Sequence, residues 1–100
     1  MKVDFSPAAA ADLEGIADWI AMTNPARALR VSDELLAACE NLVHAPRAFP
    51  LVPRYEALGV RRRVCGNYLI FYQIEDSAVI VLHILHGARD YEALFGDGDD

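Results

Sequence analysis

"RRRVCGNYLIFYQIEDSAVIVLHILH", residues 61–86, consists of three runs rich in β-branched and aromatic residues, separated by Gly66-Asn67 and Asp76-Ser77. Such residues fit a pleated, half-buried surface, and a two-residue break containing glycine or aspartate suits a tight hairpin turn. The stretch predicts three consecutive antiparallel strands.

Two-residue turns also imply a register. Ile70 is expected opposite Arg63 on one side and His83 on the other, with Arg61, Tyr72 and Val81 in the neighbouring row. Side chains alternate across a strand, so one face collects Val64, Leu69, Phe71, Ile80, Leu82 and Ile84. That almost wholly apolar face is the expected seat of the helices. The other carries Arg61, Arg63, Cys65, Tyr68, Ile70, Tyr72, Val81, His83 and Leu85, and reads as a candidate binding surface. Its row Tyr68, Ile70, Tyr72, Ile74 is too apolar for a face left to water. A C-terminal helix or another protein is expected to cover it.

Upstream, "KVDFS" (residues 2–6) alternates as a short first strand does, and Ser6-Pro7 sets an N-cap before a proline at the first helical position. A helix is predicted from Pro7 to Met22, with Leu13, Ile16, Ala17 and Ile20 on the core face and Asp12 and Asp18 in solvent. Asn24-Pro25 repeats the signature. A second helix is predicted from Pro25 to His44, with Leu29, Ser32, Leu36, Cys39 and Val43 at helical spacing and Arg27 and Arg30 outside. So short a separation favours an antiparallel helical hairpin.

Three prolines between Pro46 and Pro53 suppress regular structure in the crossing from helices to sheet. After His86, Gly87 is expected to supply an unusual backbone angle, and Asp90 to cap a short helix over "YEALF". The expected fold is α+β: one domain over 1–96, an N-terminal strand, the hairpin on one face of a small, mainly antiparallel sheet, a short C-terminal helix, and an acidic tail at 97–100.

The net charge of −6 argues against direct nucleic-acid binding over the whole surface. The charge is nevertheless segregated. Residues 1–40 carry seven acids and three bases, 41–74 one acid and five arginines, and 75–100 seven acids and Arg89 alone. An arginine-rich middle is a candidate site for an acidic partner. Cys39 and Cys65 have neither disulfide-framework nor zinc spacing, so no metal or cofactor is expected. No apolar run is long enough for a membrane span or signal peptide, and the chain reads as cytoplasmic.

The element order, with "LGVRRRVCGNYLIFYQIE" (58–75) and "VIVLHILHGARD" (79–90), resembles the RelE/ParE superfamily of bacterial type II toxin-antitoxin toxins, and its ParE branch most closely. The likeness runs from Val3 to about Phe95; Tyr68 to Tyr72 and Leu85 to Asp90 are its most specific parts.

The resemblance implies a small toxin neutralised by a cognate ParD-like antitoxin in a hetero-oligomer. Characterised ParE-branch members poison DNA gyrase, whereas RelE-branch members cleave messenger RNA on the ribosome. A metal-independent nuclease here would use Arg61, Arg63, His83 and Arg89 as phosphate-stabilising and acid-base groups. Two departures favour the ParE-like, non-nucleolytic reading. Tyr68 stands where some RNA-cleaving members have an arginine, and Tyr91 comes early for their C-terminal tyrosine. A toxin fold kept only as an inactive binding module is the third reading. Candidates for contact with antitoxin or target are Arg61, Arg63, Tyr68, Tyr72, His83, Arg89 and Tyr91.

Overall fold

Ser6 both starts the first helix and ties it to the sheet. Its hydroxyl accepts from the Ala9 amide at 3.0 Å and donates to the Leu82 carbonyl at 2.8 Å. The computed structural model describes residues 1–87. In it β1 (Lys2–Phe5) leads through this cap into α1 (Pro7–Ala21), and Asn24 caps α2 (Pro25–Glu40) by accepting from the Arg27 amide. The second helix is shorter than the expected Pro25–His44 because its last turn tightens into a 3₁₀ turn at Asn41–His44.

The three predicted strands are β2 (Arg61–Cys65), β3 (Tyr68–Glu75) and β4 (Ala78–His86). Their hairpin turns each open on a left-handed residue, Gly66 at φ 59° and Asp76 at φ 51°. The sheet order is β1-β4-β3-β2, with β1 parallel to β4 and the other pairs antiparallel.

The second hairpin departs from the simple register. Tyr72 opposes Val81 as expected, but Phe71 opposes His83 and Ile70 opposes Ile84, so β4 holds an extra residue at Leu82. Such a bulge leaves backbone groups without ladder partners. Ser6 takes the Leu82 carbonyl, and Asp12 Oδ2 accepts from the Ile84 amide at 3.0 Å. Asp12, expected in solvent, is therefore half-buried against β4.

The helices pack on the face opposite to the one predicted. Ile16, Ile20, Leu35, Cys39 and Leu42 form one cluster with Ile70, Tyr72, Val79, Val81 and Ile84; the bulge brings Ile84 onto the same side as Val81. The supposed core face is closed more thinly. There Phe71 and Leu85 meet Val52 and Val60 from the connecting segment, with Tyr55, Leu69 and Leu82 around them, while Val64 stays 61% exposed. Leu29 is likewise outside its expected place, 71% exposed, because α2 buries Ala28, Leu35, Ala38 and Cys39 instead.

Gly87 does not occupy the left-handed region. Its amide donates to the Asn67 carbonyl at 2.8 Å, and an added Cβ would come within 3.4 Å of that oxygen, so close approach is what suits glycine here. The expected Asp90 cap, the helix after it and the acidic tail lie outside the described residues. Among the described residues no helix is long and apolar enough to cross a membrane.

Candidate functional site

Arg61 and Arg63 occupy alternate positions of β2 and project towards the helices. A half-buried guanidinium needs acceptors, and the end of α2 offers them, since the last carbonyls of a helix lack intrahelical partners and carry partial negative charge. Arg63 Nη1 donates to the Ala38 carbonyl at 2.8 Å, and the guanidinium lies 4.9 Å from the centre of the Phe49 ring, a cation–π contact. Arg61 Nη1 donates to the carbonyls of Phe49 at 2.7 Å and Arg47 at 3.2 Å. Tyr72, between them and fully buried, donates its hydroxyl to the Pro46 carbonyl at 2.6 Å. Burial raises its phenol above the usual range, against the lowering pull of Arg61 and Arg63.

The remaining candidates are elsewhere. Tyr68 is half-buried at the hairpin end, its ring edge-to-face with His86 at 5.4 Å. His83, expected beside Arg63, is drawn by the bulge to α1, where Nδ1 lies 2.9 Å from Asp12 Oδ2. Arg89 and Tyr91 lie outside the described residues. Arg61, Arg63 and Tyr72 thus share one structural junction, and neither Tyr68 nor His83 joins them in a common cleft.

Both cysteines are free thiols. Burial foremost, and then the nearby Cys65, pushes the Cys39 thiol up to about 12; burial also raises Cys65, with Arg63 opposing. Neither is an activated nucleophile, because reactivity follows the thiolate. Among the described residues no group of three or more His, Cys, Asp or Glu is placed to hold a metal ion.

The structure adds a surface that takes in Leu13 and Ala17, which the sequence reading assigned to core. Phe5, Leu13, Ala17 and Leu36 line an open groove of about 390 Å³ between α1 and α2. The apolar stripe of each helix is wider than the strip the sheet covers, so its outer half faces the groove. Helical spacing alone marks such residues as apolar-facing and does not say what they face.

From residue 3 to residue 91 the sequence matches the family model of the ParE toxin of the type II toxin-antitoxin system, parDE. The chain belongs to the ParE toxin family. It is accordingly a ParE-type toxin of a type II system, within the RelE/ParE superfamily. No curated protein matches it. Among solved structures, the chromosomal ParDE toxin-antitoxin system from P. aeruginosa superposes with a TM-score of 0.74 at 21% identity, covering 86% of this chain and 95% of that one. The RelBE2 toxin-antitoxin complex from Mycobacterium tuberculosis gives 0.64 at 24% identity, over 85% and 88%. These two likenesses concern the fold. In this ParE-family chain, Arg63 of β2 ties α2 to the sheet and Arg61 ties the segment at Arg47 and Phe49.

Proposed function

We propose that this ParE-type toxin restrains growth by binding a protein target, DNA gyrase, in the cytoplasm, and that a cognate ParD-like antitoxin silences it in a hetero-oligomer. The observation that carries the non-nucleolytic part is the direction of the β2 arginines. Metal-independent RNA cleavage needs several cations and acid-base groups around one phosphate. Arg61 and Arg63 are turned into the fold, onto the carbonyls of Phe49, Arg47 and Ala38, and His83 is engaged by Asp12. The groove lined by Phe5, Leu13, Ala17 and Leu36 supports the antitoxin part, since it offers an apolar seat to an amphipathic helix.

The test is expression of the chain without its neighbour, with gyrase supercoiling and messenger RNA integrity read separately. Lost supercoiling with intact RNA is the expected result. RNA cleavage abolished by Arg61→Ala or Arg89→Ala would replace gyrase with a RelE-like nuclease activity, and no growth effect would leave an inactive binding module.

A further inference from the structure

The sheet has two edges, and its own chain adds to one of them. Beyond β2, residues 50–52 pair through the Leu51–Arg61 bridge. Among the described residues no segment pairs beyond β1. The Lys2 amide donates to the Ser77 carbonyl at 3.3 Å and the Ser6 amide to the Val81 carbonyl at 2.9 Å, so in this parallel ladder Lys2, Asp4 and Ser6 direct their backbone groups to β4. Val3 and Phe5 alternate with them and direct theirs outward. Among the described residues no hydrogen bond reaches those outward groups. An open edge is a template for another strand.

The side chains select what can add. Val3 and Phe5 pack towards the helices, while Lys2 and Asp4 stand on the opposite face, 75% and 48% exposed and 3.7 Å apart. An antiparallel second copy with Val3 opposite its own counterpart sets Lys2 opposite Asp4 on both sides of the two-fold axis. Lys2 and Asp4 spend their backbone groups on β4, so across the seam they form non-hydrogen-bonded pairs, the kind whose side chains come closest. Each ammonium then lies between two carboxylates, and each carboxylate between two ammonium groups. Such a network holds better than an isolated surface pair. On the helix face Val3 meets Val3, and Phe5 meets Met1, which is 57% exposed in the single chain. The alternative that pairs Val3 with Phe5 sets Asp4 opposite Asp4, and like charges directly opposite repel.

We propose that a second copy of this chain adds antiparallel to the outer edge of β1, with Val3 at the two-fold axis and Lys2 facing Asp4 across the seam. The interface is isologous, and it joins two four-stranded sheets into one.

The experiment is sedimentation equilibrium of the full chain over a range of concentrations, with residue-resolved amide exchange at both ends of the range. A monomer–dimer equilibrium is expected, in which the Val3 and Phe5 amides gain protection as the dimer fills. Asp4→Lys sets lysine against lysine on both sides of the axis and should weaken association roughly tenfold or more, as should Lys2→Glu by setting carboxylate against carboxylate. The two substitutions together restore opposite charges and should return most of the wild-type affinity. A chain that stays monomeric up to millimolar concentration overturns the proposal, as does a dimer that is indifferent to both reversals or leaves Val3 unprotected. Tighter association in Asp4→Asn would reveal the Asp4–Asp4 register and overturn the one proposed. Protection of Val3 and Phe5 only in the complex with the product of the adjacent antitoxin frame gives this edge to that protein and likewise overturns self-pairing.

Discussion

The two faces of the sheet are closed by different means. On one, two helices bury Ile70, Tyr72, Val79, Val81 and Ile84, and the long polar side chains of that face end on carbonyls at the α2 terminus and in the turn after it. On the other, Phe71 and Leu85 are covered by Val52 and Val60 from an irregular segment. That segment is fastened by the backbone bonds around the Leu51–Arg61 bridge and by Gln73 Nε2 donating to the Leu58 carbonyl at 2.9 Å. An arginine in a strand therefore does not mark the wet side of a sheet when unpaired carbonyls wait above it. An apolar row does not mark the helix side when a connecting segment can cover it.

The sharpest way to break this contrast is truncation on each side. Ile70→Ala should lower global stability by about 4 kcal/mol, read by chemical denaturation, because it empties a completely buried site between helices and sheet. Val52→Ala should cost about 2 kcal/mol and speed amide exchange chiefly in residues 50–60. Equal global losses would show that the segment is as integral as the helices.

At the bulge, Asp12→Ala removes the acceptor of the Ile84 amide and the partner of His83, with an expected loss of about 2 kcal/mol. Asp12→Asn, which keeps an acceptor, should recover part of it. A smaller effect belongs to Tyr72→Phe, about 1 kcal/mol, for the lost bond to the Pro46 carbonyl. If it proves neutral, the polar tips are not fasteners.

Cys39 adds a pH dependence to stability only in alkali. Its thiol rises from an ordinary 9.0 to about 12 in the fold, so its stabilising contribution is intact below pH 9 and is lost as pH climbs towards 12. Cys39→Ala should lose stability less steeply over that window in alkaline titrations followed by circular dichroism.

Much of the fold was legible because its signals are local. Ser6-Pro7 and Asn24-Pro25 both cap helices, and both two-residue turns sit where Gly66-Asn67 and Asp76-Ser77 put them. The first hairpin's register also follows, since Arg63 opposes Ile70 and Arg61 opposes Tyr72. The candidate site was legible as residue types but not as surroundings. His83 was misplaced beside Arg63 because one extra residue at Leu82 shifts everything beyond it, and no run of side chains announces that shift. Asp12 was read as solvent-facing because its partners lie more than seventy residues away.

By itself, the sequence determined the element types, their order, the caps and turns, and the family, all of which depend on neighbours along the chain or on a pattern spanning it. Only the tertiary structure decided which face of the sheet the helices cover and which arginines are spent inside the fold. Arg61 and Arg63 are spent there because the Ala38, Arg47 and Phe49 carbonyls lie over the same face. Those groups belong to the backbone, and they acquire partners only when distant segments meet.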